Sequence, residues 1–153
     1  MDRIDVRLLE QLQENADRSA EQLMEDVPLS ASAIQRRIRR LKDDGVIERV
    51  IAVANPRKVG APVCCIVSLE IERERPELLA QLRRWLNHER QIQQAYYVTG
   101  DADFVLVVAA PDMESYEALM ARLMHDNANV RRFTTNVSLG PVKRGLAVPI
   151  DGA

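Results

Sequence analysis

Cysteine is nearly absent from the chain, and the only two, Cys64 and Cys65, are adjacent. In the apolar run Val63-Cys-Cys-Ile-Val-Ser-Leu-Glu-Ile71 a strand would point them to opposite faces, which excludes a disulfide framework and a CxxC metal site. They read as small strand residues kept reduced. Histidine is as scarce: His88 and His125 stand alone near predicted helix ends and read as surface residues. The sequence offers no nucleophile, base and orienter set, no metal-ligand spacing and no glycine-rich phosphate loop, so neither catalysis nor a cofactor is expected. No apolar run is long enough to cross a bilayer and no basic-then-apolar leader follows Met1. The expected location is therefore the cytoplasm, with no membrane partner.

With 46% apolar residues, the 153-residue chain has material for one ordinary core or two small ones, and its patterning favours two. Charge is nearly balanced, at a formal net of -2. Against that background Gln35-Arg-Arg-Ile-Arg-Arg-Leu-Lys42 stands out, because it holds five cations and no acid. Spacing residues at about 100° puts Ile34, Ile38 and Leu41 in one narrow apolar sector of a helix. Ser32, Gln35, Arg36, Arg39 and Arg40 then project from the opposite side, and Arg37 falls on the flank. Ser30 is a good N-cap and Gly45 a natural stop. Upstream, Ile4, Leu8, Leu9 and Leu12 mark one amphipathic helix. Ser19-Ala-Glu-Gln22 has the capping-box pattern for a short second helix that Pro28 ends. Two short helices with a tight turn, the second carrying the cations, form a helix-turn-helix whose second helix enters the DNA major groove. A solvated charged face is the plain alternative. It is weakened by the acids gathering elsewhere, including Asp43 and Asp44, which leave one positive face for phosphates.

Beyond Gly45, Val46-Ile-Glu-Arg-Val-Ile-Ala-Val53 has a pattern suited to strands, and Asn55-Pro56 with Gly60-Ala-Pro62 punctuates a linker. The remaining pattern predicts strand (63–72), helix (76–87), strand (92–99), strand (102–110), helix (112–125) and strand (130–139). That βαββαβ order is a ferredoxin-like fold. Gly100 and Asp101 supply the middle turn, Pro76 suits a first helical turn, and Asp112 suits an N-cap. The class is thus α+β, with a DNA-binding domain over 1–50, a linker strand over 51–62 and a βαββαβ domain over 63–153. Leu69, Ile71, Val105, Val107 and Val137 place apolar groups on more than one face of the sheet, so a second copy is expected to cover what the helices leave open. Trp85, Met113, Met120 and Met124 read as core or interface filler.

Four ordered motifs carry a resemblance over essentially the full length. They are Asp2-Arg-Ile-Asp-Val-Arg-Leu-Leu9, Leu29-Ser30 through Arg40-Leu-Lys-Asp-Asp-Gly-Val-Ile47, Val98-Thr-Gly-Asp-Ala-Asp103, and Val142-Lys-Arg-Gly-Leu-Ala-Val-Pro149. The chain resembles the Lrp/AsnC, or feast/famine, transcriptional regulators. The resemblance implies a winged helix-turn-helix joined to an effector-binding, dimerising RAM/ACT-like domain, with dimers assembling into octamers or related rings. It also implies an amino acid or related small-molecule effector near Val98, Thr99, Gly100, Asp101, Ala102 and Asp103, at the junction between dimers. The sequence departs from the family at Ala102, where a large residue is usual, and at Pro28, where Gly is common. The first leaves a smaller loop and is expected to alter or abolish ligand preference; the second shifts the recognition helix's approach to DNA.

The expected DNA-facing residues are Ser30, Ser32, Gln35, Arg36, Arg37, Arg39 and Arg40. Ser32, Gln35 and Arg36 are best placed for base edges, and the sequence leaves open which cation reads bases and which holds phosphates. A dimer would read an imperfect palindrome in double-stranded DNA. In the loop, backbone N–H groups beside Gly100 suit a carboxylate and Asp101 or Asp103 an ammonium, although Gly and Asp are also the default residues of a plain turn. Thr134, Thr135 and Ser138 are weaker candidates for a facing wall. Two other functions stay open: an architectural DNA binder without effector, for which Ala102 is the main clue, and an enzyme resembling the siroheme decarboxylases. The latter lacks its histidine-bearing motif here.

Overall fold

A computed structural model describes residues 1–150. The chain divides into two compact units, one built from Met1–Val53 with the stretch from Val142 onward, the other from Ala54–Pro141.

In the first unit, α1 (Arg3–Glu14), α2 (Ala20–Leu23) and α3 (Ala31–Asp43) surround a small core of Leu8, Leu9, Ala20, Leu23, Val27, Ile34 and Leu41. Each helix starts where its sequence supplies a cap. The Asp2 carboxylate accepts the Ile4 and Asp5 N–H groups, while Asp5 accepts the Asp2 N–H at 2.9 Å. Ser19 and Gln22 make the corresponding pair on α2, and the Ser30 hydroxyl accepts the Ala33 N–H. These bonds satisfy donors that a helix start otherwise leaves unpaired. Gly45, at φ +71°, turns the chain out of α3 in the left-handed conformation that favours glycine.

Two sequence expectations change here. Val46–Val53 forms no strand, and Val46, Val50, Ile51 and Val53 are exposed. The expected linker strand over 51–62 is likewise absent; Lys58 and Val59 donate to the Asn55 carbonyl and Ala61 to that of Pro56, which makes a turn. Alternating apolar residues define a strand only when another edge supplies the ladder of hydrogen bonds, and among the described residues none does. The second change is at the C-terminal end, which the sequence placed in the βαββαβ domain. Residues 142–150 lie with the first unit, because the Gln13 side chain exchanges two hydrogen bonds with the Val148 backbone and Ile150 packs on its core. Positions 151–153 of that expected domain lie outside the described residues.

The second unit has the βαββαβ order: β1 (Val63–Ile71), α4 (Pro76–His88), β2 (Ile92–Tyr97), β3 (Phe104–Ala110), α5 (Met113–Asp126) and β4 (Val130–Val137). The four-stranded sheet runs β2-β3-β1-β4, with every neighbouring pair antiparallel. Strand alternation explains the layering. Cys65, Val67 and Leu69 on β1 and Phe104, Leu106, Val108 and Ala110 on β3 face the helices, and meet Leu82, Leu86, Tyr116, Leu119, Met120 and Leu123. Cys64, Ile66 and Ser68, with Val105, Val107 and Ala109 opposite them in register, face the other way, uncovered by the two helices of this unit. The adjacent cysteines do lie on opposite faces, and both are free thiols. Trp85 packs on the core and its indole N–H donates to Asp126 at 2.9 Å; Met120 is buried and Met124 partly so. Met113 is not core, since it is exposed in the first turn of α5.

Candidate nucleic-acid interface and effector loop

Helix α3 presents two faces of opposite character. Ile34 and Leu41 are fully buried and Ile38 half-buried, so the apolar stripe seats the helix on its own domain. Ser30, Ser32, Gln35, Arg36, Arg39, Arg40 and Lys42 are exposed on the remainder, while Arg37 is half-buried. The Ser30 and Ser32 hydroxyls lie 3.2 Å apart at the start of the helix, where its N-terminal dipole and free N–H groups favour an anion.

The cations are not equivalent. Arg37 Nη1 lies 2.7 Å from both Asp2 Oδ2 and Asp5 Oδ1, and Arg40 Nη2 lies 2.7 Å from Asp5 Oδ2. Arg36, Arg39 and Lys42 have no such partner among the described residues. Electrostatics agree with the geometry. The hydrogen bond from Arg37, with the Asp5 N–H behind it, holds the Asp2 carboxyl down at about 2. Burial alone would raise the Asp5 pKa, but the Asp2 N–H and the Arg37 and Arg40 guanidiniums outweigh it and the carboxyl titrates below its ordinary value. Arg37 is pushed up in turn by its bonds to Asp2 and Asp5. Sequence reasoning missed Asp2 and Asp5 as partners of the cationic helix. Their spacing signals the capping box, but nothing local signals a contact 32 or 35 residues away.

The loop from Val98 to Asp103 connects β2 to β3. The Val98 N–H donates to the Asp103 carbonyl, closing the hairpin, and Gly100 adopts φ +122°, beyond what a side chain accepts readily. Thr99, Gly100 and Asp101 are exposed; Val98 and Ala102 are half-buried. Asp103 is committed to the fold, since its Oδ2 accepts the Ile71 N–H at 2.7 Å and its own N–H donates to the Leu69 carbonyl. Of the two carboxylates expected to meet an ammonium, Asp101 is therefore the freer. Beside the loop, Tyr97 donates to Glu74 at 3.1 Å, which pushes the phenol pKa up, and Arg83 lies over its ring at 5.3 Å. Thr135 points into the helix-covered layer and bonds the Tyr116 hydroxyl, whereas Thr134 is exposed on the open side. The structure thus separates these two candidates for one wall.

Residues 64–148 match the family described as the Lrp/AsnC ligand binding domain, and residues 1–48 match the winged helix-turn-helix DNA-binding family. The chain belongs to the Lrp/AsnC family. An uncharacterized HTH-type transcriptional regulator of Sinorhizobium fredii is 42% identical over 99% of this chain and 89% of its own. The crystal structure of an AsnC family transcriptional regulator from Agrobacterium tumefaciens, 29% identical, superposes with a TM-score of 0.90 over 97% of each chain. A feast or famine regulatory protein from M. tuberculosis complexed with L-methionine is 27% identical, with a TM-score of 0.81 over 94% of this chain and 95% of that one. As a Lrp/AsnC member with a winged helix-turn-helix, the protein is a DNA-binding transcriptional regulator and not an enzyme. Its second unit is the ligand-binding module of that family.

Proposed function

We propose that this regulator reads double-stranded DNA with the outward face of α3, as a homodimer on an imperfect palindrome, and that an amino acid or related small molecule bound near residues 98–103 modulates it. One observation carries the reading: Ser32, Gln35, Arg36 and Arg39 share an exposed face whose arginines meet no acid among the described residues. Arginine suits guanine through two parallel donors, and Ser30 with the helix start suits a phosphate. The uncovered sheet face bearing Ile66, Val105 and Val107 supports a second copy as its cover, and dimers of this kind would build the octamer or related ring.

The methionine complex of the M. tuberculosis relative supports an amino-acid effector. Exposed N–H groups around Gly100 suit the carboxylate and Asp101 the ammonium, while Ala102 leaves room for a larger side chain. The effector acts only if it binds two subunit arrangements unequally. Two experiments test the reading. Binding of a mixed-sequence duplex falls steeply with salt for the native protein and loses most of that dependence in Arg36→Ala/Arg39→Ala; a flat native response contradicts it. Titrating L-amino acids against thermal stability raises the midpoint for the true effector, and no rise with any of them favours the effector-free architectural function.

A further inference from the structure

The two acids at the start of the chain have a role in DNA reading beyond capping α1. Asp5 is 1% exposed and both its oxygens are occupied: Oδ1 by Arg37 Nη1, and Oδ2 by Arg40 Nη2 and the Asp2 N–H. Asp2 takes the same Arg37 nitrogen on its Oδ2 and still caps the helix with Oδ1. Two carboxylates therefore stand against two guanidiniums, and this cluster contributes no net charge to the reading face. The positive potential is left to Arg36 and Arg39, with Lys42 at the helix end, none of which meets an acid among the described residues.

We propose that Asp5 is a positioning residue of the reading head, holding Arg37 and Arg40 against α1 so that Arg36 and Arg39 are the arginines that grip DNA. This rests on the DNA-reading role of α3 and assigns the work within it. A buried carboxylate with two charge-assisted bonds fixes the side chains it holds, whereas an exposed pair in water does little. Arg37, 22% exposed and bonded to both acids, is a strut between α1 and α3. Arg40 is half exposed and held by one nitrogen, so its reach is set by Asp5. The arrangement narrows a five-cation helix to a defined set of contacts, and restraint of this kind separates sequence reading from indiscriminate adhesion to phosphate.

The test is the slope of log binding constant against log salt for the full chain on a mixed-sequence DNA duplex. Arg36→Gln and Arg39→Gln each lower the slope's magnitude by about 1 per bound head, and Arg37→Gln leaves it at the native value. Asp5→Asn releases Arg40, leaves Arg37 held by Asp2 alone, and steepens it. Asp43→Asn, which removes the same charge from an exposed position without a partner among the described residues, does so far less. Equal losses from Arg36→Gln and Arg37→Gln overturn the proposal, as do equal effects of Asp5→Asn and Asp43→Asn. Should Asp5→Asn fail to fold, the comparison of Arg36→Gln with Arg37→Gln still decides. A flat native response is a different failure, removing the DNA-reading role of α3 itself and this assignment with it.

Discussion

Asp2 and Arg37 show how a residue's meaning depends on what folding brings beside it. The Asp2 carboxyl, ordinarily near 3.8, sits at about 2 because Arg37 and the α1 N–H groups favour its charged form. A carboxylate depressed in the folded state stabilises it fully above the unfolded value, and that contribution fades as pH falls through the folded one. Asparagine still caps a helix but cannot pair with Arg37. The thermal midpoint of Asp2→Asn should therefore lie below the native one by a constant margin from neutrality to about pH 4. The margin should then close as pH falls toward about 2, at fixed protein concentration. A gap that persists in acid would mean the ion pair contributes nothing. Neither the Asp2 cap nor its ion pair was read from the sequence, and the pair could not be, because helical periodicity reports which way a side chain points and not what another helix places opposite it.

At the scale of the element, α3 was the clearest reading in the sequence and remains so in the structure. Its apolar stripe, its Ser30 cap and its Gly45 stop each act independently of the rest of the chain, which is why local chemistry sufficed to find them. Gly45→Ala should cost about 1 kcal/mol in chemical denaturation. Beyond the adjacent residues no described atom lies within 4 Å of the added methyl, so the effect would come from holding a side chain at φ +71°. In the sheet, Leu106 is fully buried between the helices, and Leu106→Ala should cost about 2–5 kcal/mol by leaving a cavity. The stretch after α3 was legible only in part. Val46–Val53 has the alternation of a strand but forms none, because alternation specifies a face to bury and cannot supply the edge that pairs with it.

For the whole molecule, the βαββαβ order was readable because each element announces its own period and the turns between them are short. What escaped was long-range. The hydrogen bonds between Gln13 and Val148 span 135 residues, and they bring the C-terminal stretch into the first unit where sequence proximity had placed it in the second. The candidate effector loop was found by resemblance, while the fold's claim on Asp103 emerged only from its bond to Ile71. The open sheet face carries a prediction at this scale. Val107→Asp puts a charge in the middle of that face, beside Ile66, and should shift the protein toward monomer in sedimentation experiments while leaving its secondary structure intact.

The central claim, that α3 makes this Lrp/AsnC protein a sequence-specific DNA reader, is tested most directly by genome-wide capture of DNA bound to the native protein and to Arg36→Ala/Arg39→Ala. The account predicts sharp peaks sharing an imperfect palindrome with the native protein and their loss in the variant, with both proteins equally folded. Peaks that survive the double substitution, or no enrichment with either protein, would contradict it.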